Sequence, residues 1–82
     1  MSEPEIELHY ALHELPAGRH PFRRWRFELW HGPRLLATGW RTSEPHARRA
    51  LGERATRVAR MISRTQGVQV LRPSYRLVPL EA

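Results

Sequence analysis

Residues 34–64 read RLLATGWRTSEPHARRALGERATRVARMISR, and a change of period inside this stretch decides the fold. From Arg34 to Arg41 successive residues take opposite sides, with Leu35, Ala37 and Gly39 on one and Arg34, Leu36, Thr38 and Trp40 on the other. That is the period-two pattern of a strand. Thr42 or Ser43 then offers an N-cap, Glu44 suits the positive end of a helix dipole, and Pro45 fits a first turn. From His46 to about Arg64 the apolar residues recur at Ala47, Ala50, Leu51, Ala55, Val58 and Ile62, one stripe of 3.6-residue period. The opposite side carries Arg48, Arg49, Glu53, Arg57, Arg60 and Arg64, where Glu53 lies four residues from both Arg49 and Arg57 and is expected to pair with them. Gly52 weakens the helix and is expected to mark a close approach to the sheet, and Gly67 is the stop signal.

Working outward, His31-Gly32-Pro33 makes a tight connection to a preceding strand, Phe22 to Trp30, in which Trp25, Phe27 and Leu29 alternate with Arg24, Arg26, Glu28 and Trp30. Before the break at Leu15-Pro16-Ala17-Gly18, Ile6, Leu8, Tyr10 and Leu12 alternate with Glu5, Glu7, His9, Ala11 and His13. Residues 1–4 read as a frayed end. Beyond Gly67, a short strand is expected at 68–72 and an extended edge segment at 75–79, with Pro73 interrupting them. The expectation is a single α+β domain over residues 1–82. It is built β-β-β-α-β, with one amphipathic helix on one face of a mainly antiparallel sheet and room for a short extra edge strand.

Composition narrows the function classes. The 82 residues contain 14 basic and 8 acidic side chains, and every one is Arg or Glu. The formal charge of +6 is unevenly spread, because residues 1–18 hold four Glu and no Arg while residues 19–82 hold every Arg. Arginine binds phosphate bidentately, so this balance points to a polyanionic partner. Cysteine is absent, which excludes disulfides, thiolate zinc sites and cysteine nucleophiles and fits a cytoplasmic location. No stretch is apolar enough to span a membrane, and the Ala-rich helix face is too small to anchor in lipid. Ser43 and Ser74 lie in no nucleophile elbow, and no Gly-rich phosphate loop occurs. His9 and His13 share a strand face with Glu7, but positions four apart on a strand are ~13 Å apart, too far for one metal. The chain is expected to be no enzyme, to need no cofactor and to take no small-molecule substrate.

If Trp25, Phe27 and Leu29 pack under the helix, Arg24, Arg26 and Trp30 share the open sheet face with Arg34 and Trp40, depending on the register of the third strand. Aromatics interleaved with cations hold single-stranded nucleic acid, and an Arg-bearing ribbon can enter a duplex groove. The candidate nucleic-acid-binding residues are therefore Arg24, Arg26, Trp30, Arg34, Trp40 and Arg41 on the sheet, helped by Arg49, Arg57 and Arg60 on the helix. The alternative is a protein-interaction or homodimer module that buries Trp30, Trp40 and Leu36 at an interface. As an edge strand, the acidic arm could fold over the basic face and restrain it.

The run Arg23-Arg24-Trp25-Arg26-Phe27-Glu28-Leu29, then Thr38-Gly39-Trp40-Arg41-Thr42-Ser43, then Ala47 and Ala50, resembles the three-strand-plus-helix DNA-binding domains of the plant ethylene-response type and of phage integrase arm-binding domains. The resemblance covers about half the chain. It implies a sheet lying in the major groove, with Arg24, Arg26, Trp30 and Arg41 facing DNA. The same segment is similar to the second half of double-stranded-RNA-binding domains, although Glu44, Pro45 and His46 stand where that family has paired Lys. Together the two resemblances imply DNA or RNA as the partner.

Overall fold

The period change is where the chain turns from sheet to helix. The structure is a computed structural model and describes residues 5–16, 18, 24–67 and 73–80. Its elements run β1 (Ile6–Glu14), β2 (Trp25–His31), β3 (Arg34–Arg41), α1 (Glu44–Thr65) and β4 (Tyr75–Pro79). The frayed end expected at 1–4, the start of the second strand at Phe22 and Arg23, and the short strand expected at 68–72 lie outside the described residues. No described helix is long and apolar enough to cross a membrane.

The β2–β3 hairpin turns through Gly32, whose φ of +59° is open to glycine at little steric penalty. Ser43 caps α1 from an extended backbone, and its Oγ accepts the His46 N–H at 3.4 Å. Glu44 and Pro45 fill the first turn, so the helix starts two residues before His46. It ends at Thr65, capped by Gln66 and followed by Gly67 at φ +80°.

The strands form one sheet in the order β3-β2-β1-β4. β1 pairs antiparallel with β2, and β2 with β3, but β4 pairs parallel with β1, Ile6 facing Tyr75 and Leu8 facing Leu77. The sheet is mixed rather than purely antiparallel. The reason is the helix: 22 residues rise ~33 Å and return the chain to the end of the sheet where β3 began. β4 must then run in the direction of β3, and hence of β1. The acidic first strand is correspondingly not an edge arm. It lies between β2 and β4, so it is part of the core architecture.

Alternation sorts the two faces. Leu8, Phe27 and Leu29 are buried under Ala47, Ala50, Leu51 and Ala55 of α1. Each of the three large side chains contributes about 1.5–3 kcal/mol by burial. Small residues on the helix let it lie close to the strands. Gly39 serves the same packing from the sheet, because an added Cβ there would stand 2.7 Å from Cε1 and Cζ of Phe27, its cross-strand partner. On the same face, at the β4 edge of the sheet, the hydroxyls of Thr56 and Tyr75 meet at 3.1 Å and tie α1 to β4.

One expected register fails locally. Leu29 faces Ala37, yet Trp30 faces Leu35, so Leu36 is an extra residue in β3. This bulge turns Leu36 toward the core, and Leu35 is left 42% exposed, the reverse of simple alternation. Beyond the bulge the expected register holds: Ala37 and Gly39 face α1, and Thr38 and Trp40 face away. Gly52 also departs from expectation. Nothing lies within 4 Å of a Cβ placed there, so it marks no close approach.

These packing facts predict opposite signs for two glycine substitutions. Gly39→Ala drives a methyl into the buried Phe27 ring and should lower unfolding free energy by about 1–3 kcal/mol in urea denaturation. Gly52→Ala meets empty space on a helix and should raise it by about 1 kcal/mol.

Candidate nucleic-acid interface

The open face of the sheet is built by the strand positions that alternate away from α1. On β2 these are Arg26, Glu28 and Trp30, beside Thr38 and Trp40 of β3 and His13 of β1. Trp40 lies directly opposite Arg26, so the exposed-face register is the one adopted. The Arg26 guanidinium sits 5.7 Å from the Trp40 ring centroid. Its Nη2 is 3.0 Å from Glu28 Oε2, and its Nε donates to Thr38 Oγ1 at 3.3 Å. Thr38 in turn donates to the Phe27 carbonyl at 3.0 Å, anchoring the group to the backbone.

Glu28 is the hub of this face. Besides Arg26, it accepts from Trp30 Nε1 at 3.4 Å and lies 3.5 Å from His13 Nε2, and its side chain is only 14% exposed. Elsewhere on the sheet, Arg24 meets Glu14 at 3.3 Å, and Arg76 of β4 meets Glu7 at 2.9 Å and Glu5 at 3.7 Å. His9 lies 3.3 Å from Glu7, so the two histidines of β1 sit in separate pairs with different carboxylates. Exposed pairs of this kind contribute about 0–1 kcal/mol each. Their larger effect is on charge: the arginines of the sheet face are locally compensated.

Arg41 and Arg34 do not join that array. Arg41 alternates with Gly39 toward α1, where its guanidinium lies 5.5 Å from the Phe27 ring centroid and its Nη1 donates to the Trp40 carbonyl at 2.7 Å. It covers the edge of the core on the opposite side from Trp40. Arg34 sits at the hairpin end of β3, facing His31.

The helix tells a different story. Arg49, Arg54, Arg57 and Arg64 are exposed, and none has an acidic partner among the described residues. Arg60, half-buried, is engaged by a neighbour. The expected pairing of Glu53 with Arg49 and Arg57 does not form; the pair that closes is Glu44–Arg48, at 2.9 Å. That carboxylate holds the Arg48 guanidinium above its ordinary value. Arg54 is missing from the candidate set read from sequence, because it borders the apolar stripe instead of lying opposite it. A helical wheel drawn with Met61, which is 65% exposed on the same side, would have recovered it.

The two arginine sets look in opposite directions. α1 covers one sheet face and turns its own outer side further away, so Arg49 and Arg57 do not converge with Trp30 and Trp40 on one ligand. No protein-family model matches the chain, and no curated protein and no solved structure matches it either.

The Arg26–Thr38–Phe27 arrangement predicts that Thr38→Val removes two hydrogen bonds without changing shape. Unfolding free energy should fall by about 1 kcal/mol, read from the shift of a urea transition.

Proposed function

We propose that this chain is a non-enzymatic nucleic-acid-binding module whose helix α1 supplies the phosphate contacts. The observation that carries the reading is the row of uncompensated arginines, Arg49, Arg54, Arg57 and Arg64, on the exposed side of α1. Binding to a polyanion is driven by release of its condensed counterions, which requires cationic charge not already neutralised by the protein. The sheet arginines Arg24, Arg26 and Arg76 are each held by carboxylates and supply less of it. From Arg49 to Arg64 the helix rises ~22 Å, long enough to follow a phosphate backbone. Contacts of this kind position a duplex or strand without reading its bases.

The test is fluorescence anisotropy of labelled duplex DNA, duplex RNA and single strands between ~50 and ~200 mM salt. Four phosphate contacts give a slope of about −3 to −4 in log affinity against log salt. Arg57→Glu combined with Arg64→Glu should weaken binding at least ~10-fold while the far-UV circular dichroism is retained. Unchanged affinity in the folded double variant would overturn the assignment to α1. Self-association that persists in high salt, with no binding to any nucleic acid, would instead favour the protein-interaction reading.

A further inference from the structure

The open sheet face carries two half-exposed tryptophans and, among the described residues, no surplus of positive charge. Trp40 faces Arg26, and Trp30 lies four residues along β2 from that pair, so the two side chains leave the sheet about 13 Å apart along the strand with Glu28 midway. Single strands stack on aromatic rings of this kind while their phosphates run alongside. Here any strand that stacked on both rings would have to carry its backbone across a carboxylate.

We propose that this face is a second site, for single-stranded nucleic acid, kept closed by Glu28 and opened by protonation of His9 and His13. The proposal rests on the nucleic-acid reading above and assigns a regulated site on the side of the molecule opposite α1. The charges facing the two histidines come from three strands and their margins. β1 contributes Glu7 with Glu5 before it, β2 contributes Glu28 and Arg26, and β4 contributes Arg76, while Glu14, which alternates toward α1, and Arg24 before β2 neutralise each other at the far end. β3 contributes Thr38 and Trp40 and no charge at this point. Among the described residues, the Arg24–Glu14 pair aside, two arginines stand against three glutamates, one net negative charge with the histidines neutral. Histidine is the side chain whose charge changes between about pH 5 and 8. Each of these histidines lies beside a carboxylate, His9 at 3.3 Å from Glu7 and His13 at 3.5 Å from Glu28. Protonating both compensates those carboxylates and turns the face to one net positive charge. Arg26, held by Glu28 at 3.0 Å, then shares that carboxylate with a second cation and becomes available to a phosphate passing between the tryptophans.

The experiment titrates the full chain with an oligothymidylate of about 15 nucleotides, a length that covers one site of this size. Anisotropy of the labelled strand and tryptophan emission are followed together at about pH 7.5 and about pH 5.5, at one ionic strength. Trp30 and Trp40 lie on this face, whereas Trp25 lies on the α1 side. At the higher pH the strand should bind with tryptophan emission unchanged. At the lower pH emission should be quenched on binding, with affinity about tenfold higher, as expected from several-fold per charge gained. Glu28→Gln should show the quenching already at the higher pH, with affinity raised about fivefold. His9→Gln combined with His13→Gln, which leaves His46 in place at the helix start, should lose the acid-induced quenching. Equal quenching at both pH values in the unsubstituted chain, or an acid response that survives in the double histidine variant, would overturn the proposal. Neutral-pH binding with no acid-induced quenching overturns this proposal alone; no anisotropy change at either pH in any variant overturns the nucleic-acid reading as well.

Discussion

The contact of the alanine stripe of α1 with Leu8, Phe27 and Leu29 organises everything else in this molecule. Ala47, Ala50 and Ala55 are small enough for the helix to lie close across the central strands, and Leu51 fills the space between. Because strand side chains alternate, fixing those three core residues fixes the facing of every other residue in β1 and β2. Gly39 extends the constraint to β3, since its missing side chain is the space occupied by the Phe27 ring. The same packing turns the polar side of α1 outward and leaves the other sheet face uncovered.

Charge follows from that division. The glutamates of β1 and β2 share the sheet with Arg24, Arg26 and Arg76 and compensate them. The helix holds only Glu44 and Glu53 among six arginines, and Glu44 is committed to Arg48. Among the described residues the net positive charge is concentrated on the outer side of α1, away from the tryptophans. The Arg/Trp surface and the uncompensated arginine surface are two separate places on this fold, which is why we propose the helix as the side that meets a polyanion at neutral pH.

Much of this architecture is legible in the residues. The shift from period two to period 3.6 at Thr42–Ser43 locates the end of β3 and the start of α1, and the β3 boundaries match the structure. The placement of Trp25, Phe27 and Leu29 under the helix follows from alternation alone. What alternation does not contain is the bulge at Leu36, because one inserted residue leaves no local mark in an apolar Leu35-Leu36-Ala37 run. Nor does it contain strand order: the parallel partnership of β1 and β4 is a consequence of where a 22-residue helix delivers the chain. The candidate site was partly legible for a related reason. Spacing puts Arg26, Glu28, Trp30 and Trp40 on one face, but the bond of Arg26 to Thr38, and the folding of Arg41 over Phe27, depend on partners 12 and 14 residues distant that only strand pairing brings into contact. Spacing alone makes the helix arginines helpers of the sheet, because it does not say that the two surfaces point apart.

We propose that the outer side of α1, not the open sheet face, meets nucleic acid at neutral pH. A two-dimensional NMR titration of the isotope-labelled chain with a short duplex separates the two surfaces. The backbone amides of residues 49–64 and the Arg49, Arg54, Arg57 and Arg64 side-chain Nε–H resonances should shift, while the indole N–H signals of Trp30 and Trp40 stay in place. Shifts confined to Arg26, Trp30 and Trp40 with the helix arginines unmoved would contradict it.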